Sequence, residues 1–118
     1  MDFKTRDDHL NRIKIVSLAG QLSAYEAPTI RKALVDLINA GNIRFVIDLS
    51  KVTFIDSAGM AVLVNLLKRA RQADGEVWLI WPKEEAAQRI LKLTRFDKIF
   101  EITDSVTQAL RMFYTEII

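Results

Sequence analysis

Apolar positions along the chain switch several times between alternating and helical spacing, and each switch marks an element. Phe3 to Asp7 is a short stretch with few apolar residues and reads as an edge strand. After the polar Asp8-His9 turn, Ile13-Lys14-Ile15-Val16-Ser17-Leu18 is β-branched and partly alternating, the pattern of a strand, with Gly20 as its end. Ala27, Ile30, Leu34, Leu37 and Ile38 then recur at helical spacing. Pro28 sits near the start of that helix, where a missing N–H costs little, and Gly41 suits its C-terminal end. Ile43 to Leu49 reads as a central strand, apolar on both faces at its middle. Ser50-Lys51-Val52-Thr53 reads as a loop leading to Asp56-Ser57.

A second helical pattern runs from Ser57 to Gln72, with Gly59, Met60, Leu63, Leu66, Leu67 and Ala70 as its core stripe. Val77 to Trp81 is the next strand, stopped by Pro82, and Trp78 and Trp81 fall on opposite faces because strand side chains alternate. One belongs in the core; the other suits the open side of the sheet. Glu84 to Thr94 is helical, with Ala87, Ile90, Leu91 and Leu93 apolar, and Ile99 to Ile102 reads as a last short strand. Ser105 and Gln108 have the capping-box spacing. They open a C-terminal helix carrying Val106, Ala109, Leu110, Phe113 and Ile117. Strands alternating with helices after an initial strand pair predict an α/β fold with a mostly parallel sheet, the opening strands antiparallel.

Composition narrows the chemistry. The 118 residues contain 17 Lys and Arg against 15 Asp and Glu, a net charge of +2. Nucleic-acid binding needs clustered positive charge, and here the bases are mostly interspersed with acids, so no direct nucleic-acid contact is expected. The tightest cluster, Lys68-Arg69-Ala70-Arg71, falls at a helix C-terminus, where cations suit the dipole. There is no cysteine, which removes disulfides and thiol catalysis, and His9 is the one histidine. A zinc site is therefore not expected, nor any cofactor. No apolar run approaches the roughly 20 residues that span a bilayer, and the polar start Met1-Asp2-Phe3-Lys4 is unlike a signal peptide. A cytoplasmic protein without membrane contact is the expectation.

The candidate chemistry sits at Asp56-Ser57-Ala58-Gly59. Asp56 and Ser57 both suit a helix N-cap, and the plainer reading gives either of them that role alone. On a wheel turning about 100° per residue, Ser57 shares an outer face with Ala61, Val64 and Lys68, with Ala58 and Asn65 beside it. That face begins with small residues, so a partner's backbone can come close. A phosphate on Ser57 would add roughly −1.5 to −2 charges, with Asp56 and Asp48 as the nearby acids in the sequence. A helix N-terminus tolerates such charge, so docking would change while the fold survived. Two rival readings fit less well. A serine hydrolase needs a base near Ser57, but His9 lies in a polar turn and the Gly-x-Ser-x-Gly elbow is missing. A phospho-aspartate receiver would use Asp48, yet Asp7-Asp8 do not close an apolar first strand. Tyr25 is expected to be exposed on the same surface as Ser57.

The same segment resembles the Asp-Ser-Ser/Ala-Gly signature of STAS domains, named for sulfate transporters and anti-sigma factor antagonists. Leu18-Ala19-Gly20-Gln21-Leu22, Ile47 to Ile55 and Leu93 to Phe100 resemble further family segments, so the likeness spans nearly the whole chain as one domain, 1–118. Ser23 stands where many relatives have aspartate, and Arg95 where they often have glycine. The resemblance implies a STAS-type sheet of about five strands with about four helices mainly on one face. It also implies an anti-sigma factor antagonist, not an enzyme, that binds an anti-sigma factor which is also a serine kinase and so frees a sigma factor. Ser57 would be the phosphoacceptor, and the phosphorylated form would not bind until a metal-dependent serine phosphatase restored it. Ser23, Asp56, Ala58, Gly59 and Ala61 would form the partner-binding surface. ATP and magnesium would belong to the kinase. The alternative is a STAS scaffold or regulatory subunit of a larger sensory or transport assembly without a sigma target; oligomeric state is open in both.

Overall fold

Apolar side chains alternating along three neighbouring strands define the two faces of one sheet. The computed structural model describes residues 1–10 and 12–117, with side chains as far as Tyr114. The elements are β1 (Asp2–Asp8), β2 (Ile13–Leu22), α1 (Ala27–Asn39), β3 (Arg44–Ile55), α2 (Ser57–Gln72), β4 (Glu76–Ile80), α3 (Glu85–Leu93), α4 (Phe96–Ile99), β5 (Glu101–Thr103) and α5 (Val106–Ile117). The strands lie in sequence order across the sheet. β1 runs antiparallel to β2, and all later neighbours are parallel. This is the predicted mixed sheet.

Val16 and Leu18 of β2, Phe45, Ile47 and Leu49 of β3, and Val77 and Leu79 of β4 face one core. Ile30 and Leu34 of α1, Leu63, Leu66 and Leu67 of α2, Leu91 of α3 and Phe96 of α4 close it. The intervening residues Ile13, Ile15, Val46, Trp78 and Ile80 face the other way and meet Ala109 and Phe113 of α5. The four helices α1 to α4 thus share one face; α5, one of the four helices expected mainly on that face, covers the opposite one, and the single turn of α4 is not among those expected. Trp78 is the tryptophan beneath α5, its ring centroid 5.5 Å from that of Phe113. Trp81 is half-buried against the larger core. Ile117 of α5 lies outside the described side chains.

Several boundaries differ from the sequence reading. Ser50–Thr53 is not a loop: β3 continues through it, pairing Lys51 with Ala19 and Val52 with Gly20. Pairing with β4 stops at Asp48, so this half of β3 has a partner on one side only and tolerates polar outward side chains, while Val52 and Ile55 stay buried. Gly20 does not end β2; it takes φ +105° beside a register shift between Gly20 and Gln21, a bulge that glycine allows. Ile99 closes the one-turn α4 and does not begin β5, because Phe96 and Phe100, with centroids 5.2 Å apart, pack together. In α2 the buried stripe includes Val62, and Met60 is only half-buried. Leu93 of α3 is exposed, not core. Arg95 stands in the left-handed region at φ +61°, the conformation that costs glycine least. The turn therefore keeps a glycine-type backbone despite its arginine.

Candidate functional site

β2 and β3 end side by side, Leu22 paired with Ile55, β2 leading through a four-residue turn into α1 and β3 through Asp56 into α2. Functional sites in open α/β sheets gather at such carboxyl ends. Asp56 follows Ile55 with extended backbone and caps α2: its Oδ1 accepts from the Gly59 N–H at 3.0 Å. Its Oδ2 accepts from the Ala24 N–H at 2.9 Å, across to the β2–α1 loop. The Asp56 N–H in turn donates to the Leu22 carbonyl at 3.3 Å. One carboxylate therefore satisfies a free helix donor and ties two loops together. Those N–H groups, Gly59 first and Ala24 second, hold the Asp56 carboxyl below its ordinary range, because hydrogen bonds to the ionised form favour it.

Capping by Asp56 decides between the two N-cap candidates. Ser57 is the first residue of α2 and is exposed. Among the described residues its hydroxyl has no hydrogen-bond partner. The free α2 donors around it add positive potential. Ala58 is half-buried and Ala61 exposed on the same face. Ser23 is half-buried; its carbonyl accepts from the Glu26 and Ala27 N–H groups at 3.0 and 2.8 Å, closing the turn that begins α1. Tyr25, in that turn, is 88% exposed. Gly59, expected both in the core stripe of α2 and on the partner surface, is buried as the stripe requires and not on that surface: a Cβ there would lie 2.1 Å from the Leu22 carbonyl oxygen. Its missing side chain lets α2 seat on the end of β2.

Sequence reasoning missed Ala24, whose contribution is a backbone N–H and leaves no side-chain signature. The other candidates lie elsewhere. His9 follows β1 at the start of β2, opposite the end that meets Asp56. Ten residues of β2 at about 3.3 Å each separate those ends by roughly 30 Å, so no imidazole serves Ser57. Asp48 lies mid-strand in β3 and accepts from the Ser50 N–H at 2.9 Å. Seven residues of β3, about 23 Å at the same rise, separate it from Ile55, too far to repel a phosphate on Ser57. No group of three His, Cys, Asp or Glu suited to a metal occurs among the described residues. Among them no helix is long and apolar enough to cross a membrane.

The Asp56 bridge has a measurable consequence. A carboxyl bound more tightly as its anion stabilises the fold above its unfolded-state pKa, and that contribution is lost as pH falls through the lower folded value. Asp56→Asn is expected to lower the melting temperature by several degrees at neutral pH. The gap from wild type should close as pH falls below about 4, near the unfolded aspartate value. Thermal melts across that range check it, and a gap independent of pH counts against the bridge.

An anti-sigma-B factor antagonist of Listeria monocytogenes is 31% identical to this chain over 103 residues, 86% of each chain. That of Bacillus subtilis is 31% identical over 90 residues, 75% of this chain and 77% of the relative. The crystal structure of TM1081 from Thermotoga maritima superposes with a TM-score of 0.87 at 28% identity, covering 95% of this chain and 94% of that one. The STAS domain profile matches residues 4–109, which take in every strand end and loop that builds the Asp56-Ser57 site. The chain belongs to the STAS domain family.

Proposed function

We propose that this chain is an anti-sigma factor antagonist whose binding is switched by phosphorylation of Ser57. The observation that carries the reading is the division of labour at the start of α2. Asp56 alone caps the helix and fixes both loops, at 3.0 and 2.9 Å, which leaves the neighbouring serine exposed on a rigid frame. A serine needed for capping would be occupied; this one is available to a kinase. The relatives named anti-sigma-B factor antagonist support the same reading.

In the unmodified state, Ser57, Ala58 and Ala61 present a surface of small side chains at the head of α2, with Ser23 in the adjoining loop. An anti-sigma factor that is also a serine kinase docks there and releases its sigma factor. Transfer of a phosphoryl group from the kinase's ATP to the Ser57 hydroxyl adds roughly −1.5 to −2 charges. The added bulk and charge sit where the partner must approach closely, beside the ionised Asp56. Docking is lost and the sigma factor is recaptured. A metal-dependent serine phosphatase reverses the change. The chain supplies no catalytic group to either reaction and acts in the cytoplasm, and residues 1–118 work as one domain.

The test is direct. Incubating the protein with the host's kinase-type anti-sigma factors, ATP and magnesium should add one phosphoryl group, mapped to Ser57 by mass spectrometry, and none to Ser57→Ala. Modification at another residue, or of Ser57→Ala to the same extent, overturns the assignment. A STAS subunit without a sigma target would capture no kinase in the unmodified form.

A further inference from the structure

Beside Ser57, α1 and α2 diverge to leave a groove of about 880 Å³. Its lining has two chemistries. Near Ser57 it is lined by small residues, Ala24, Ala27, Ala58 and Ala61. Beyond them the lining carries cations, Arg31 and Lys32 in the second turn of α1 and Lys68 and Arg69 toward the C-terminal end of α2, and none of the lining residues is acidic. Lys32 is matched by Asp36 at 3.0 Å. Arg31, Lys68 and Arg69 have no acidic partner among the described residues, and the Nε of Arg69 is buried without a hydrogen-bond partner. A buried, unpaired donor costs stability unless something supplies the acceptor. The Lys68-Arg69-Ala70-Arg71 cluster thus splits in two. Arg71 is used internally, its Nε donating to Glu76 at 3.2 Å and its Nη2 to the Ile99 carbonyl at 3.4 Å. Lys68 and Arg69 face the groove.

We infer that this groove receives an acidic amphipathic helix of the anti-sigma partner, its carboxylates over Arg31, Lys68 and Arg69 and its small or apolar face over the alanines beside Ser57. The inference rests on the partner-binding reading above and adds a second contact, beyond the phosphorylated residue. The shape argues for a helix, since a groove between two helices accepts a third by interleaved side chains. The lining stretch of α2 from Ala58 to Arg69, twelve residues at about 1.5 Å each, gives a bed of roughly 18 Å, about three turns of a partner helix. The charge argues for acidity, because complementary potential fixes register and speeds encounter. Continuity with Ser57 argues for the same partner: Ala58 and Ala61 line the groove and flank the switch. Phosphorylation would then act at one end of an extended contact whose electrostatic anchors, Arg31, Lys68 and Arg69, are spread along it.

The test uses the full chain and the purified host anti-sigma factor that binds it. Arg31 and Lys68 are exposed, so Arg31→Glu and Lys68→Glu are expected to fold, which circular dichroism checks. Each should weaken binding about 10-fold, the pair more than 50-fold, and binding by wild type should fall steeply with added salt. Lys68→Arg should bind like wild type. If the double reversal binds within about twofold of wild type, the groove has no such occupant and the inference is overturned. Ser57→Asp, measured alongside, separates the two readings. Loss with Ser57→Asp but not with the reversals removes the groove and leaves the switch; no loss with either removes both. Reversals that change the sedimentation of the isolated chain but not its affinity for the anti-sigma factor assign the groove to a second copy, which also overturns the inference.

Discussion

Replacing Ser57 by aspartate is expected to weaken binding to the anti-sigma partner by about 100-fold or more, near 2.7 kcal/mol, with the fold intact. The two halves of that expectation have separate causes. Stability is spared because Ser57 lies at the first position of α2, where a negative charge meets free N–H groups and the positive end of the dipole. The cap itself belongs to Asp56 and is untouched. The melting temperature should stay within about 3 °C of wild type, since a first-turn acid contributes only tenths of a kcal/mol. Binding suffers because the new carboxylate stands on the surface that a partner must approach closely, next to an aspartate already held in its ionised form. A charge stripped of water at a close-fitting contact without an opposite charge to meet it costs several kcal/mol. Calorimetric titration of the partner, paired with thermal melts, checks both halves. Full-strength binding by Ser57→Asp and by the phosphorylated protein alike would sink the switch. Ser57→Ala should bind at close to wild-type strength and resist inactivation by the kinase.

Gly59→Ala should produce a large loss of stability from a single added methyl, as should Gly75→Ala, whose Cβ would lie 1.8 Å from the Ile43 carbonyl oxygen. A Cβ at Gly59 would stand 2.1 Å from the Leu22 carbonyl oxygen and 2.8 Å from Leu22 Cγ. The first obstacle is main chain, so it cannot be relieved by a rotamer change. Either α2 lifts from the end of β2 or β2 shifts. Both break the hydrogen bond from the Asp56 N–H to Leu22 and disturb the Asp56 bridge to Ala24. The expected cost is about 3 kcal/mol or more, at the upper end for overpacking. In a domain of this size that corresponds to a fall of roughly 10 °C or more in melting temperature. Partner binding should fall as well, because Ser57 moves with the helix. A Gly59→Ala protein melting within about 2 °C of wild type would show that the junction is looser than its geometry implies.

The contrast between Ser57 and Gly59 also indicates what the sequence discloses. Capping is local chemistry, so the pair Asp56-Ser57 is enough to mark the start of α2. Which of the two caps depends on Ala24, a residue 32 positions away that contributes only a main-chain donor, and no side-chain pattern encodes that. Helical spacing puts Gly59 in the buried stripe of α2 but does not show which backbone it lies against; the close neighbour is the chain's own Leu22 and not a partner. Strand order and direction follow from the alternation of elements, because crossover rules leave few choices. The side taken by α5 does not, since Phe113 and Ala109 are equally apolar whichever face they cover. Ser50–Thr53 has the look of a loop because its polar residues face solvent on a half-strand paired only with β2. The basic lining of the α1–α2 groove is hidden because Arg31 and Lys68 are ordinary helix-surface residues until the two helices are set side by side.

The carboxylate that joins the two loops has a kinetic corollary. Because Asp56 already fixes both segments in the free protein, this side of the encounter needs no loop ordering before contact, which removes one of the usual entropic costs of association. Binding should then proceed at the ordinary rate of rigid docking, about 10⁵–10⁷ M⁻¹s⁻¹. Changes around the serine should appear mainly as altered residence time, leaving the speed of capture to the charges further along the groove.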